Sequence, residues 1–205
     1  MSPPRVKICG VTRLEDALQA VRLGADALGF NFWSGSKRFL APAAARSIVE
    51  QLPPFVTPVG VFVNQPEAEI RRAAEESGVR VLQLHGDEPP ELCARLPLPV
   101  VKAVRVPAPL PLDALRAYPV AAFLLDAASA GYGGSGATFD WSLAEGVAAL
   151  GPLILAGGLT PENVAAAVRR VRPYAVDAAS GVESAPGVKD VSKMARFIAA
   201  AREIA

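Results

Sequence analysis

The residues with the clearest capacity for chemistry are a thiol, a carboxylate and an imidazole, each at the end of a short apolar run. Cys9 closes the first such run of the chain, His85 follows the fourth and Asp126 follows the sixth. A thiolate can remove a proton from carbon, and a carboxylic acid can donate one. Cys9 and Asp126 are therefore candidates for a catalytic base and acid, and His85 is a candidate for contact with a substrate.

Each of these residue types also has a purely structural role. Cysteine is often a small buried hydrophobe, and we interpret Cys93, inside a predicted helix, in that way. An aspartate can cap a loop, but Asp126 closes an apolar run, which favours a functional position. For His85, a rim residue satisfied by hydrogen bonds and a residue that contacts substrate are both open.

The elements that must position these residues are short apolar runs alternating with longer amphipathic segments. Eight strand-then-helix units follow one another, which is typical of parallel strands covered by helices on both faces. The predicted strands are Arg5–Cys9, Ala27–Phe32, Val59–Val63, Val81–Leu84, Val100–Arg105, Ala121–Leu125, Leu153–Ala156 and Tyr174–Ala178. The predicted helices are Leu14–Leu23, Pro42–Leu52, one that begins after Asn64-Gln65-Pro66 and ends at Gly78, one opened by Pro89-Pro90, Leu112–Tyr118, Ser142–Leu150, Pro161–Val171 and, roughly, Lys189–Ile204.

Eight such units favour an α/β fold, a single-domain (β/α)8 TIM barrel over residues 1–205, with its active site at the carboxyl ends of the strands. A doubly wound open sheet is the alternative, but it usually carries a glycine fingerprint after its first strand. The chain has Cys9-Gly10-Val11-Thr12 there, which lacks that fingerprint. The barrel would bring Cys9, His85 and Asp126 to one mouth.

Alternation along the first strand predicts which of its side chains point into the barrel. In Val6-Lys7-Ile8-Cys9, Lys7 and Cys9 share one face, and the two apolar residues share the other. We expect the apolar pair to face the helices. Because a neighbouring ammonium favours a thiolate, Lys7 is expected to lower the pKa of Cys9 from within the substrate site.

Small and polar residues follow the last two predicted strands. The seventh strand runs into Gly157-Gly158, and the eighth runs through Asp177 into Ser180-Gly181. Glycine lets backbone N–H groups approach an anion closely, and the loops after strands seven and eight of such barrels commonly hold phosphate. We therefore expect a phosphorylated substrate here, with a short extra helix opening in the second loop.

Two further loops lie at the expected mouth. A glycine-rich segment, Ala127–Phe139, follows Asp126 and contains Gly134. We expect it to close over the substrate beside the candidate acid, with a mobile loop of no function as the alternative. Lys37 and Arg38 follow the second predicted strand, and taken alone they are also typical of a solvated loop.

Taken together, the motifs of this chain resemble those of the phosphoribosylanthranilate isomerase family, in order and spacing over essentially the whole length. They are Lys7-Ile8-Cys9-Gly10, Gln83-Leu84-His85-Gly86, Gly133-Gly134-Ser135-Gly136, Phe139-Asp140-Trp141, Ala156-Gly157-Gly158-Leu159 and Ser180-Gly181-Val182-Glu183. Two positions depart from the family pattern. Ser135 stands where threonine is frequent, and Ala179 stands where a second serine is frequent, which removes one donor near the phosphate.

The resemblance implies an Amadori rearrangement of N-(5-phosphoribosyl)anthranilate to 1-(o-carboxyphenylamino)-1-deoxyribulose 5-phosphate, a step of tryptophan biosynthesis. By the same resemblance, Asp126 protonates the furanose oxygen, Cys9 takes the proton from C2, and Arg38 binds the anthranilate carboxylate with its planar guanidinium. No cofactor or metal is implied. The remaining expected substrate contacts are Lys7, His85, Gly134, Gly157, Gly158, Asp177, Ser180 and Gly181.

Two other functions fit parts of the pattern. Another phosphosugar enzyme on the same barrel, such as an indole-glycerol-phosphate synthase or a histidine-pathway isomerase, would share the phosphate loops but rely on different catalytic groups. A non-catalytic binder of phosphorylated ligands would tolerate the loss of both catalytic candidates. Because Cys9 and Asp126 are both present, the pattern favours the isomerase.

Composition narrows the classes of partner. The chain has 205 residues and a formal net charge of +1, which argues against a nucleic-acid-binding surface. We expect no membrane association, because no stretch reaches the ~20 apolar residues of a membrane span. The two cysteines and single histidine lack zinc-ligand spacing. We expect a cytoplasmic protein with reduced thiols, and a homodimer is compatible with a small, proline-rich barrel.

Overall fold

The computed structural model describes residues 3–106, 112–127, 141 and 144–203. Within them, eight parallel strands pair in chain order and close when β1 pairs with β8. The strands are β1 (Arg5–Cys9), β2 (Ala27–Asn31), β3 (Thr57–Phe62), β4 (Val81–Leu84), β5 (Val100–Val106), β6 (Ala122–Ala127), β7 (Leu153–Leu155) and β8 (Ala175–Ala178). The predicted TIM barrel is confirmed, while its extent over all of residues 1–205 stays a prediction.

Helices follow the strands and cover the outside of the barrel. They are α1 (Leu14–Arg22), α2 (Pro42–Val49), α3 (Glu67–Ser77), α4 (Pro90–Arg95), α5 (Leu112–Leu115), α6 (Ala144–Ala148), α7 (Val164–Val171) and α8 (Val191–Arg202). Several are shorter than predicted. The glycine-rich segment with Gly134 lies outside the described residues.

The side chains of β1 alternate between the apolar layer under the helices and the interior of the barrel. Val6 and Ile8 are fully buried in the apolar layer between strands and helices, as predicted. Lys7 points inward and lies beside Asp177 in the register of β1 on β8. Strand pairing therefore brings together two charged residues that are 170 positions apart in the chain.

The interior of the barrel is apolar at one end and polar at the other. Ala122 and Leu124 of β6 pack in an apolar interior cluster with side chains of β5, β7 and β8. Asp126 continues the same face of β6 two residues later, at the carboxyl end. On β4, the residues that share the inward face are Val81, Gln83 and His85. Val81 packs on the apolar cluster, and the two polar residues follow it toward the carboxyl end. The interior is therefore filled by apolar side chains toward the amino ends of the strands and lined by polar ones at their carboxyl ends.

The segment between β8 and α8 contains the predicted short extra helix and a hairpin that was not predicted. The extra helix is a single 3-10 turn, Ser180–Val182, and an antiparallel hairpin of β9 (Glu183–Ala185) and β10 (Val188–Lys189) follows it. The last helix, predicted from roughly Lys189, begins two residues later at Val191. The Lys189 side chain turns inward to buried acceptors, and the Asp190 carboxylate accepts the N–H of Lys193 as the N-cap of α8.

Candidate active site

A cavity of about 720 Å³ opens at the carboxyl ends of the barrel strands. Such a position is where barrels of this class hold their active sites. Lys7 does not line this cavity, and Gly134 lies outside the described residues. The other predicted site residues all line it: Cys9, Arg38, His85, Asp126, Gly157, Gly158, Asp177, Ser180 and Gly181.

The thiol of Cys9 sits above a buried ion pair. Lys7, two residues earlier on the same face of β1, is 4% exposed and places its Nζ 2.9 Å from Oδ1 of Asp177. Gly29 of β2 provides the room, since a Cβ there would lie 2.7 Å from the Cys9 Sγ. The structure therefore places Lys7 as a buried neighbour of the thiol and of Asp177, beneath the substrate cavity.

The pKa of Cys9 lies above its usual value, in contrast to the expectation. Burial is the largest cause, because it disfavours the thiolate. The charge of Lys7 acts to lower the pKa, as predicted, and that of Lys189 does the same, but the carboxylate of Asp177 opposes them. The sequence indicated the nearby ammonium but neither the burial of the thiol nor the counter-ion Asp177.

This arrangement predicts opposite shifts of the thiol pKa for two substitutions. Asp177→Asn removes a negative charge and should lower the pKa of Cys9, whereas Lys7→Met removes a positive charge and should raise it. Only the thiolate is alkylated, so the rate of Cys9 alkylation, measured in a Cys93→Ala background, should rise with pH. The rise should move to lower pH in Asp177→Asn and to higher pH in Lys7→Met. Lys37→Met, at the exposed rim, should leave it unchanged, and identical profiles for all variants would contradict the account.

His85 connects the end of β4 to the candidate acid on β6. Its Nε2 lies 3.1 Å from Oδ2 of Asp126, and its Nδ1 lies 2.9 Å from the side-chain nitrogen of Gln83. The predicted site residue His85 therefore contacts the candidate acid directly. Gln83 is 1% exposed, lines the cavity and was not singled out from the sequence.

The guanidinium of Arg38 already binds a carboxylate of the protein itself. Its Nε and Nη2 donate to the two carboxylate oxygens of Glu183 at 2.8 and 2.7 Å. The predicted bidentate grip on a substrate carboxylate cannot use this edge, which leaves the edge formed by Nη1 and Nη2. Glu183 belongs to one of the family motifs, but its sequence context predicted no role for it.

Glu183 is the centre of a buried network that joins the hairpin to the site. Lys189 donates to its Oε1 at 2.8 Å and also to the backbone oxygen of Cys9. Burial acts to raise the pKa of Glu183, but the hydrogen bonds from Arg38 and the charge of Lys189 outweigh it, so this pKa lies below its usual value. Glu183 therefore stays ionised and holds Arg38 beside the cavity. Nothing in the sequence around Glu183 indicated this role.

The loops after β7 and β8 line the cavity, and glycine determines their shape. Gly157 and Gly158 both have positive φ angles, 78° and 65°, which suit glycine. Asn163 fixes their loop by donating to the Gly158 oxygen at 2.9 Å and accepting from Thr160 N at 2.8 Å. A Cβ at Gly181 would lie 2.0 Å from the Leu159 oxygen, so the two loops touch through their backbones.

The described residues form neither a metal-binding cluster nor a membrane-spanning helix. No group of three or more His, Cys, Asp or Glu side chains among them is arranged to hold a metal ion. No helix in the described part of the chain is long and apolar enough to cross a membrane.

Comparison with known proteins decides the family. The sequence profile of N-(5'-phosphoribosyl)anthranilate isomerase matches residues 6–200. The chain belongs to this family. The isomerase of Geobacter metallireducens is 54% identical, over 97% of this chain and 98% of its own length.

Solved structures of this isomerase family agree in fold. A phosphoribosylanthranilate isomerase in complex with reduced 1-(o-carboxyphenylamino)-1-deoxyribulose 5-phosphate superposes with a TM-score of 0.87 at 44% identity, covering 98% of this chain and 100% of its own. Monomeric variants of the dimeric isomerase of Thermotoga maritima superpose with a TM-score of 0.88 at 43% identity, with the same coverage. The family resemblance seen in the sequence motifs is thus confirmed.

Proposed function

We propose that this chain converts N-(5-phosphoribosyl)anthranilate to 1-(o-carboxyphenylamino)-1-deoxyribulose 5-phosphate in tryptophan biosynthesis, with Cys9 as the base and Asp126 as the acid. One observation carries the assignment of roles. The thiol of β1 and the carboxylate of β6 line one cavity from well-separated strands, with the glycine loops between them. A base and an acid that face one substrate from two sides suit a reaction that removes one proton and delivers another.

The two ends of the substrate fit different parts of the cavity. Backbone N–H groups around Gly157, Gly158 and Gly181 suit the phosphate, since successive N–H groups form an anion-binding concavity. The remaining edge of Arg38, held in place by Glu183, suits the anthranilate carboxylate. Charge at both ends of the substrate thereby fixes the sugar ring between the acid and the base.

The chemistry begins with two proton transfers. Asp126 gives its proton to the ring oxygen, the bond from that oxygen to C1 breaks, and the nitrogen lone pair forms an iminium with C1. The Cys9 thiolate next takes the proton from C2, the C–H electron pair forms the C1–C2 double bond of an enolamine, and the electron pair of the C1–N double bond returns to nitrogen. The ketone follows when C1 gains one proton and the C2 hydroxyl loses one. Cation formation at C1 before deprotonation makes C2–H more acidic and favours a thiolate beside it.

Loss of the fluorescence of the anthranilate adduct tests this function. Freshly generated substrate should lose its fluorescence rapidly when the purified protein is added, and the ketone product should be present in the quenched mixture. Cys9→Ser supplies the control for spontaneous breakdown of the substrate, since it keeps the fold and the phosphate loops. A parent protein that is no faster than this control would refute the proposed substrate, and other phosphosugars would then be tested.

We also propose that the chain forms a homodimer through the end of the barrel opposite the cavity. Phe55, two residues before β3, is 95% exposed, and Tyr174, directly before β8, is 58% exposed. Large exposed apolar side chains mark association surfaces, and this end carries none of the predicted site residues. The dimeric relative from Thermotoga maritima supports the same state. The free thiol of Cys9 supports a cytoplasmic location, where thiols stay reduced.

Substitution of Phe55 should separate the protomers without stopping catalysis. Phe55→Ser removes the most exposed of these side chains, so we expect a monomer by analytical ultracentrifugation, a lower Tm and a kcat within about twofold of the parent value. Val191→Ser, which removes an exposed apolar side chain at the other end of the barrel, is the matched control and should remain dimeric. A parent that sediments as a monomer at micromolar concentration would contradict the dimer, and a dimeric Phe55→Ser would contradict this interface.

A further inference from the structure

Three side chains form a hydrogen-bonded chain that ends on the candidate acid. Gln83 and His85 are two residues apart at the end of β4, so both point into the barrel. The Gln83 side-chain nitrogen lies 2.9 Å from Nδ1 of His85, and Nε2 of His85 lies 3.1 Å from Oδ2 of Asp126. The His85 and Asp126 side chains are 11% and 9% exposed. These three hydrogen-bonded side chains are thus buried except where they meet the cavity.

The amide of Gln83 determines which ring nitrogen of His85 carries the proton. A side-chain N–H group that points at Nδ1 needs an acceptor there, so Nδ1 has the lone pair and Nε2 has the hydrogen. Nε2–H then donates to Oδ2 of Asp126. A proton on this carboxyl group therefore belongs on the other oxygen, Oδ1.

The opposite tautomer would work against an acid. With the hydrogen on Nδ1, the lone pair of Nε2 would accept a proton from Oδ2 of Asp126. The acid would then point its proton at the histidine instead of at the substrate. The tautomer of His85 thereby decides whether Asp126 can donate into the cavity.

The hydrogen-bonding state of Gln83 supports the amide orientation of the structure. Its Oε1 is buried and has no hydrogen-bond partner among the described residues. If the amide were turned by 180°, Oε1 would accept from Nδ1–H, and an N–H₂ group would take the unpartnered position. Unpaired buried donors are rarer than unpaired acceptors, so the first arrangement is favoured. Because Gln83 lines the cavity, a substrate hydroxyl can donate a hydrogen bond to its Oε1.

We propose that Gln83 is a positioning residue, which holds His85 in its Nε2–H tautomer and so keeps the proton of Asp126 on Oδ1 for the substrate. This inference rests on the proposed role of Asp126 as the acid. Gln83 acts through His85 and carries no proton of the reaction itself. Gln83 thereby determines whether the proton of Asp126 points at the substrate or at His85.

The chain contains a single histidine, which makes the tautomer directly measurable. Long-range ¹⁵N–¹H NMR of the uniformly labelled parent protein should show one imidazole, protonated at Nε2 and not at Nδ1. In Gln83→Glu, a carboxylate that only accepts should move a proton to Nδ1. Gln83→Met, which fills similar space without polar atoms, should release the ring to a mixture of both tautomers. Gln51→Glu, on the exposed surface, should leave the spectrum and the activity unchanged.

The kinetics should follow the tautomer. We expect kcat to fall in the order parent, Gln83→Met, Gln83→Glu, with a loss for Gln83→Glu between about 10-fold and 10⁴-fold, the upper figure being that of a catalytic histidine held in the wrong tautomer. A packing role alone would spare Gln83→Glu, which is nearly isosteric, and would not change the ring nitrogens.

The two possible failures can be told apart. A parent spectrum with Nδ1 protonated, or a Gln83→Glu variant with unchanged tautomer and kcat, overturns the role of Gln83 and leaves the acid role of Asp126 intact. Full activity of Asp126→Asn would instead remove the acid itself, whatever the spectrum of His85.

Discussion

Replacement of Cys9 by alanine should lower kcat by about 10²- to 10⁴-fold, the usual contribution of a positioned general base. Alanine cannot accept the C2 proton, while the phosphate loops and Arg38 still bind the substrate, so KM should change far less than kcat. Serine should be nearly as inactive, because its hydroxyl does not ionise in the working range of pH. Initial rates of fluorescence loss under saturating substrate measure the effect.

Cys93→Ala is the matched control for this substitution. Cys93 is the second free cysteine of the chain and lies on α4, where its Sγ contacts the Pro89 backbone oxygen away from the cavity. It should retain full turnover, with only the modest loss of stability expected when a small buried group is removed. Near-normal turnover of Cys9→Ala, or equal losses at both cysteines, would contradict the assignment of the base.

Replacement of Asp126 by asparagine should also lower kcat by about 10²- to 10⁴-fold. Asparagine has nearly the same shape and can still accept the hydrogen bond from His85 through its amide oxygen. It offers the ring oxygen no acidic proton, so the ring should remain closed while the substrate stays bound. Steady-state kinetics should therefore show a large drop in kcat with a KM close to that of the parent.

Asp113→Asn provides the control for removal of a carboxylate. The Asp113 side chain is fully exposed beside Arg116 and distant from the cavity lining. Its substitution should leave both kinetic constants unchanged. If Asp126→Asn turned over at the rate of Asp113→Asn, the protonation of the ring oxygen would have to come from another group.

The order of the barrel and the position of its site could be predicted because they depend on local periodicity. Alternating apolar runs and amphipathic segments predicted the eight strands, and the two-residue repeat predicted the inward face of Lys7 and Cys9. The bounds of strands such as Arg5–Cys9 and Val81–Leu84 agree with the structure. The rule that barrel sites lie at carboxyl strand ends then selected Cys9, His85 and Asp126.

Contacts between distant parts of the chain could not be predicted in this way. Asp177 opposes the effect of Lys7 on the thiol only because β8 closes the barrel against β1. Glu183 holds Arg38 across 145 positions of sequence, through a hairpin with no strong strand signal. Both are pairings of charges that tertiary structure creates, and both change the chemistry predicted from the residues alone.

The predicted starts of two helices, α7 and α8, differ from the observed ones by two or three residues. Lys189 was predicted to begin the last helix. In the structure it ends β10, and its ammonium is buried against Glu183. Similarly, Asn163 binds the loop of Gly158 with its side chain, and α7 begins after it, at Val164. In both cases a side chain that forms hydrogen bonds at the mouth of the barrel lies just before the start of the helix.

The central claim, that Asp126 opens the ring and Cys9 then removes the C2 proton, is tested most directly with substrate deuterated at C2. In single turnovers of Cys9→Ser, removal of that proton should limit the rate, so the deuterated substrate should react with a primary isotope effect. In Asp126→Asn, ring opening should limit the rate, and the two substrates should react equally fast. An isotope effect in Asp126→Asn together with none in Cys9→Ser would contradict the assignment of the two roles.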